Sequence, residues 1–176
     1  GTLMLVDMQG YWPGINMNVA TSQALTGVPT LRYADGAGLR AFLAIRTSSG
    51  ATAHNLSYSY TNQAGVSGRV QPVTVACTAS AITPHITHSG TAANNYGPFL
   101  PLASGDTGVM DLAQMRCSAS VATGVVWFMI GHPLGFMSFP VINSMLPFDW
   151  LTNRDQAPHV FNGACVAFLE PLKPAT

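Results

Sequence analysis

The sequence predicts an all-β protein, a jelly-roll-like antiparallel β-sandwich with long loops and extended terminal arms. We expect residues 1–176 to form a single domain. Three observations lead to this fold class. Apolar and polar residues alternate in several short segments, no segment shows ten residues of clean helical spacing, and 17 Gly with 12 Pro supply turns. Short alternating strands separated by turn residues are typical of sandwiches and barrels.

Three strands and one turn are predicted in the first part of the chain. Residues 3–6 are apolar and form a first strand, and residues 39–46 form another in which one face consists of Leu39, Ala41, Leu43 and Ile45. Residues 54–61 alternate most sharply, with one face made of Leu56, Tyr58 and Tyr60. This face is expected to be core. The sequence Asn-Gln-Ala-Gly at 62–65 predicts a turn.

Four more strands are predicted in the second part, at residues 73–78, 114–121, 125–130 and 166–169. The run Val-Val-Trp-Phe-Met-Ile at 125–130 is apolar throughout, so we expect it to be buried on both faces. The dipeptide Thr123-Gly124 precedes it and suits a hairpin turn between two of the strands.

Long irregular stretches separate these strands. Residues 1–38 are expected to be mainly an extended arm and loops, with a type II turn at Pro13-Gly14, and residues 170–176 an extended tail. The stretches 8–38 and 83–111 are long for loops yet contain large apolar side chains, which predicts docking on a neighbouring subunit. Trp12 is the expected anchor; the alternative is that it caps its own sandwich. The predicted interface residues are Tyr11, Trp12, Pro13, Ile15, Tyr96 and Phe99.

Charge is scarce in this chain. Only 8% of the residues are charged, the formal net charge is +0, and there are seven Lys or Arg. The polar residues are mostly neutral and cost little to desolvate, so the composition favours a surface covered by other protein. No basic patch for direct nucleic-acid binding can be built. Edge strands with few Lys or Glu predict self-association, most simply a homodimer, alternatively a trimer.

Motifs for chemistry are weak. His85 and His88 are three residues apart, which places them on opposite faces of a strand, and no acidic residue or Cys lies nearby. The stretch 36–41 matches G-x-G-x-x-A, but an alternating strand follows where a dinucleotide site needs a helix. The three cysteines are expected to be buried thiols. We therefore predict no catalytic, cofactor-binding or metal site, and no enzyme. The longest apolar stretch, 124–139, is interrupted by His132 and Pro133, which argues against a membrane helix.

Three strings of residues resemble a known family. These are residues 31–46, residues 53–69 with the string His-Asn-Leu-Ser-Tyr-Ser-Tyr-Thr-Asn-Gln-Ala-Gly, and residues 88–102 with His-Ser-Gly-Thr-Ala-Ala-Asn-Asn-Tyr-Gly-Pro-Phe. Over about the middle two thirds, the chain resembles capsid cement (decoration) proteins of tailed bacteriophages, of the Bordetella short-tailed type. The resemblance implies a sandwich that clamps neighbouring major capsid subunits and carries no catalytic residues.

The sequence thus predicts a non-enzymatic virion structural protein that binds the outer capsid surface and stabilises the shell. Its partners would be the phage major capsid protein and itself, with no direct nucleic acid and no membrane. It would be made in the cytoplasm of the host bacterium. The alternative is a tail- or fibre-associated module that binds a receptor or glycan, which would need exposed aromatic residues with convergent polar groups.

Overall fold

The structure is a computed structural model, and it describes residues 2–27, 29–50, 54–72, 75–77, 89–90, 95–120, 123–138 and 164–169. Within these ranges the regular secondary structure consists of eleven β-strands. They are β1 (Thr2–Asn16), β2 (Gln23–Ala24), β3 (Arg40–Thr47), β4 (His54–Asn62), β5 (Arg69–Val70), β6 (Val75–Cys77), β7 (Ser89–Gly90), β8 (Asn95–Gly97), β9 (Val109–Cys117), β10 (Val125–Ser138) and β11 (Cys165–Leu169).

The main strands form two antiparallel sheets. The first sheet has the order β11-β1-β10-β3, and its centre is the long pair β1 and β10. The second sheet has the order β2-β9-β4-β5, and β6 also pairs with β4. Most paired strands are far apart in sequence, as a jelly-roll-like sandwich requires. The prediction of an all-β antiparallel sandwich is confirmed.

The core lies between the two sheets and follows from period-two alternation. In each strand every second side chain points to the other sheet. The first sheet contributes apolar residues of β3 and β10, and the second contributes residues of β4 and β9. The buried set includes Leu39, Ala41, Leu43, Ile45, Leu56, Tyr58, Tyr60, Leu112, Met115, Cys117, Val126, Phe128 and Ile130.

The outer face of the first sheet carries a second, smaller apolar cluster. Met4, Val6, Phe42 and Met129 are buried there, and Met8, Ala44 and Phe99 pack against them. The alternate residues of the same strands belong to the main core, so β3 and β10 are apolar on both faces. The first sheet is therefore covered on its outer side over part of its area.

All seven predicted strands have a counterpart, but one predicted connection is wrong. Thr123-Gly124 does not close a hairpin, because β9 before it lies in the second sheet and β10 after it lies in the first. The dipeptide instead carries the chain across the sandwich. The predicted turn at residues 62–65 is confirmed: the Gly65 N–H donates to the Asn62 carbonyl, and Gly65 has φ 74°.

The expected N-terminal arm is also wrong, because Thr2–Asn16 is a strand paired with β10 along its length. Pro13-Gly14 is a β-bulge rather than a turn. Trp12 pairs with Phe128 and Ile15 with Val126, so two residues of β1 face one residue of β10, and Gly14 has φ 78°. A bulge of this kind needs a residue that tolerates left-handed φ, and Gly provides it. The predicted tail 170–176 lies outside the described residues.

The long stretches also differ from the prediction of docking on a neighbour. Met17, Leu25 and Leu100 are buried in the protein's own core, and Leu31 and Tyr33 pack against it. The Leu100 N–H donates to the Ala41 carbonyl, which attaches this stretch to strand β3. Intramolecular packing therefore explains the apolar side chains of these five residues, while residues 83–88 and 91–94 lie outside the described ranges.

Candidate protein interface

One end of the outer face of the first sheet exposes aromatic side chains. Tyr11 is 63% exposed and Trp127 is 37% exposed, with ring centroids 6.2 Å apart. The guanidinium carbon of Arg46 lies 5.9 Å from the Trp127 ring centroid, within the range of a cation–π contact. We call Tyr11, Trp127 and Arg46 the aromatic patch.

Local backbone geometry places the patch. Trp127 lies on the outer face because its neighbours Val126 and Phe128 point into the core. Arg46 is an extra residue in β3, since Ile45 pairs with Val126 and Thr47 pairs with Val125. This bulge turns the Arg46 side chain toward Trp127 on the adjacent strand.

The structure separates the N-terminal residues that the sequence grouped as an interface. Trp12 is 4% exposed and belongs to the main core, as does Ile15. The prediction that Trp12 anchors a neighbouring subunit is therefore wrong, and the alternative that it packs on its own sandwich is right. Since side chains alternate along a strand, Tyr11 points outward when Trp12 points inward. Pro13 is exposed at the bulge.

The two predicted residues from the later stretch have different outcomes. Phe99 is half-buried and makes edge-to-face contacts with Phe42 and Phe136, at 6.2 Å and 6.4 Å between centroids. Phe136 is 46% exposed and lies on the outer face of the first sheet. Tyr96 lies in β8, and its side chain is outside the described residues. Phe99 therefore packs beneath the exposed ring of Phe136 and is not itself a fully exposed interface residue.

Trp127 was missed because the sequence predicted burial on both faces of its strand. In an apolar run, alternation has no polar residue to mark the outward side. The neighbouring strand β3 carries the sequence signal that could have identified the outward side. Arg40 and Arg46 alternate there with apolar residues, and Trp127 lies on the same face of the sheet as these arginines.

A charged network joins β4 to the loop at residues 101–108. Asp106 accepts hydrogen bonds from Tyr60 Oη at 2.5 Å, Asn62 Nδ2 at 2.8 Å and Arg69 Nε at 2.9 Å. Desolvation favours the neutral acid, but the hydrogen bonds from Arg69, Tyr60 and Asn62 outweigh it and lower the pKa of Asp106 to about 2. With its oxygens occupied by three donors, this carboxylate fastens the loop and is poorly placed to act as a base.

A second polar cluster lies on the inward side of β1. Asp7 is fully buried and forms an ion pair with Arg32. The ring of Tyr33 stacks on His132 with centroids 4.2 Å apart. Burial, followed by the charge of Asp7, raises the pKa of Tyr33, and burial lowers the pKa of His132. The cluster holds the 29–38 loop against β1 and β10.

The two glycines of the G-x-G match have a local role here. Gly36 and Gly38 both have positive φ, at 64° and 75°. A Cβ on Gly38 would lie 2.9 Å from His132 Nε2, so glycine also lets the loop approach the stacked pair. These glycines serve the turn into β3.

Candidate sites for other chemistry are few in the described ranges. They contain no group of three or more His, Cys, Asp or Glu that could hold a metal ion. His85 and His88 lie outside them. Cys117 is a buried free thiol, and burial raises its pKa to about 11, which makes it a poor nucleophile. In the same ranges, no helix has the length and apolar character needed to cross a bilayer.

Comparisons of the chain with protein-family models, with curated proteins and with solved structures give no match.

Proposed function

We propose that this protein is a non-enzymatic virion structural protein, a cement or decoration protein of a tailed bacteriophage. It binds the outer surface of the capsid through the outer face of its first sheet and clamps neighbouring major capsid subunits. The aromatic patch is the observation that carries the proposal. In this proposal the aromatic patch is the anchor, in place of Trp12, which the sequence predicts as the anchor but which is buried in the core.

The residue types of the patch suit a contact between proteins. Tyr, Trp and Arg are enriched among the residues that dominate binding energy at interfaces. Tyr11 and Trp127 offer large apolar area while losing few rotamers on docking. Phe136 is also exposed on this face, toward the opposite end of β10 from Trp127.

The scarcity of charge supports the same function. An average soluble domain has about 25% charged residues, against 8% in this chain. Charged residues are depleted in the central parts of interfaces because desolvating them is costly. The family resemblance of residues 31–46, 53–69 and 88–102 adds the expectation that the partner is a capsid shell.

Stabilisation would follow from mass action. A protein that binds assembled shells, and not dissociated subunits, shifts the equilibrium toward the shell. Many copies on one lattice gain avidity when each copy bridges two subunits. Self-association of the protein, most simply as a homodimer, would add to this effect.

The test compares heat resistance of virions from the phage that encodes this chain. Particles lacking the protein should release DNA at a lower temperature, and adding the wild-type protein should restore resistance. Addition of the Tyr11→Ala/Trp127→Ala variant should not restore it. Val66→Ala is the control, because Val66 is exposed in the turn that follows β4 of the second sheet, whereas the patch lies on the first sheet. Equal heat resistance with and without the protein would remove the stabilising role.

A further inference from the structure

The outer face of the second sheet contains a hollow of about 310 Å³. Ser57 and Ser59 of β4 lie on its floor beside Gln114 and Arg116 of β9, and the pairs Ser57–Arg116 and Ser59–Gln114 lie in register across the two strands. Ser22 and Val70 flank it on either side. Small serines between longer neighbours leave the space that makes this part of the sheet concave.

Hydrogen-bonding groups in the hollow are partly used and partly available. Arg116 Nε donates to the Ala20 carbonyl at 3.2 Å, and this hydrogen bond does not use the two terminal nitrogens of the guanidinium. Ser22 Oγ donates to Gln114 Oε1 at 2.6 Å, which orients the amide with its Nε2 donor free of that bond. Both long side chains are thus positioned before any ligand binds.

The lining has a definite chemical character. It combines one guanidinium, one amide and serine hydroxyls, and none of its described residues is acidic. Arg binds carboxylates with two parallel hydrogen bonds, and Ser hydroxyls and Gln amides bind hydroxyl groups. Val70 is 59% exposed at the rim and offers an apolar surface for C–H groups.

We infer that this hollow binds a carboxylate-bearing sugar, with Arg116 on the carboxylate and Ser57, Ser59 and Gln114 on ring hydroxyls. The hollow lies on the opposite side of the sandwich from the aromatic patch. This site is therefore independent of capsid binding, and a protein docked through its first sheet would present it outward.

The probe is D-glucuronic acid, titrated into isotopically labelled protein and followed by NMR. Its matched control is D-glucose, which has the same ring and hydroxyls but a hydroxymethyl group in place of the carboxylate. We expect saturable shifts confined to the strands around the hollow, with a Kd of about 1 mM, the range for one small ligand in a shallow site. Glucose should bind at least about tenfold more weakly, because it lacks the partner of Arg116.

Two variants separate the site from general charge effects. Arg116→Gln should weaken glucuronate binding to the level of glucose. Arg46→Gln removes the same charge from the opposite face and should leave binding unchanged. The inference is overturned by any of three results: no saturable shift at about 10 mM glucuronate, tenfold above the expected Kd; equal affinity for glucose; or equal affinity for acetate, which would indicate a simple anion site.

Discussion

The ring of Tyr11 lies against the ring of Trp127 on the exposed face of the first sheet, with centroids 6.2 Å apart and planes inclined at 53°. Tyr11 belongs to β1 and Trp127 to β10. Each is the immediate sequence neighbour of a residue of the main core. Trp12, next to Tyr11, faces the core opposite Phe128. The alternation of a strand thus decides which aromatic residue meets a partner and which stabilises the fold.

Trp12→Ala should destabilise the isolated protein much more than Trp127→Ala. Trp12 is 4% exposed in the core, and truncation of a buried Trp costs about 3–5 kcal/mol through lost burial and a residual cavity. Trp127 is 37% exposed, so its loss should cost less than about 2 kcal/mol. Chemical denaturation of the two variants measures both values.

The two substitutions change the same residue type, so each is the control for the other. Equal free energies of unfolding for both variants would show that the assignment of Trp12 to the core and Trp127 to the surface is wrong.

Asp106→Asn should destabilise the protein at neutral pH and less so in acid. The wild-type carboxylate has a pKa of about 2 when folded, below its usual 3.8, so its ionised form contributes stability above about pH 4. That contribution disappears as the pH falls toward 2. The difference in unfolding free energy between wild type and variant should therefore be constant above about pH 5 and shrink below pH 4.

Thermal or chemical denaturation at several pH values measures this difference. A gap that stays the same between pH 5 and pH 2 would show that the hydrogen bonds from Tyr60, Asn62 and Arg69 do not favour the ionised form of Asp106.

Arg32→Met should be strongly destabilising because it leaves the buried carboxylate of Asp7 without its cation. Removal of one partner of a buried ion pair costs about 3–5 kcal/mol. In an Asp7→Asn background the same substitution should cost less, since no charge is left unpaired. A double-mutant cycle measures the coupling, and additive effects would contradict the role given to this pair.

Isolated protein should self-associate at micromolar concentration. The described ranges contain no Lys and no Glu, the residues that most often block pairing at sheet edges. Sedimentation in the ultracentrifuge should give a dimer, or a trimer as the alternative. A monomer at all accessible concentrations would contradict the expectation.

Strand positions could be predicted from the sequence because period-two alternation is a local property. The core-facing side of β3 follows from Ala41, Leu43 and Ile45, and that of β4 from Leu56, Tyr58 and Tyr60. Sheet membership is not local, so the segment at Thr123-Gly124 was predicted as a hairpin although it links two sheets. Local turn signals do not specify which strands pair.

The candidate interface could be predicted only in part. The sequence predicts both Tyr11 and Trp12 as interface residues, and it favours Trp12 as the anchor because Trp offers the largest apolar area and lies beside Pro13-Gly14, which predicts a turn in an arm. In the structure the same dipeptide is a bulge that keeps β1 paired beyond it. Trp127 and Arg46 come together only when β10 and β3 pair, which no single segment reveals. Alternation within one strand predicts which side chains share a face of that strand. A surface patch such as this one depends in addition on which strands pair with each other.

Electron cryo-microscopy of the virion would show whether this protein is a cement protein of the shell. We expect many copies of the chain on the outer surface of the shell, each with Tyr11 and Trp127 against a major capsid subunit and with Ser57 and Arg116 facing away from it. If the chain is absent from the shell, or present in only a few copies at the tail, the proposed cement function is wrong.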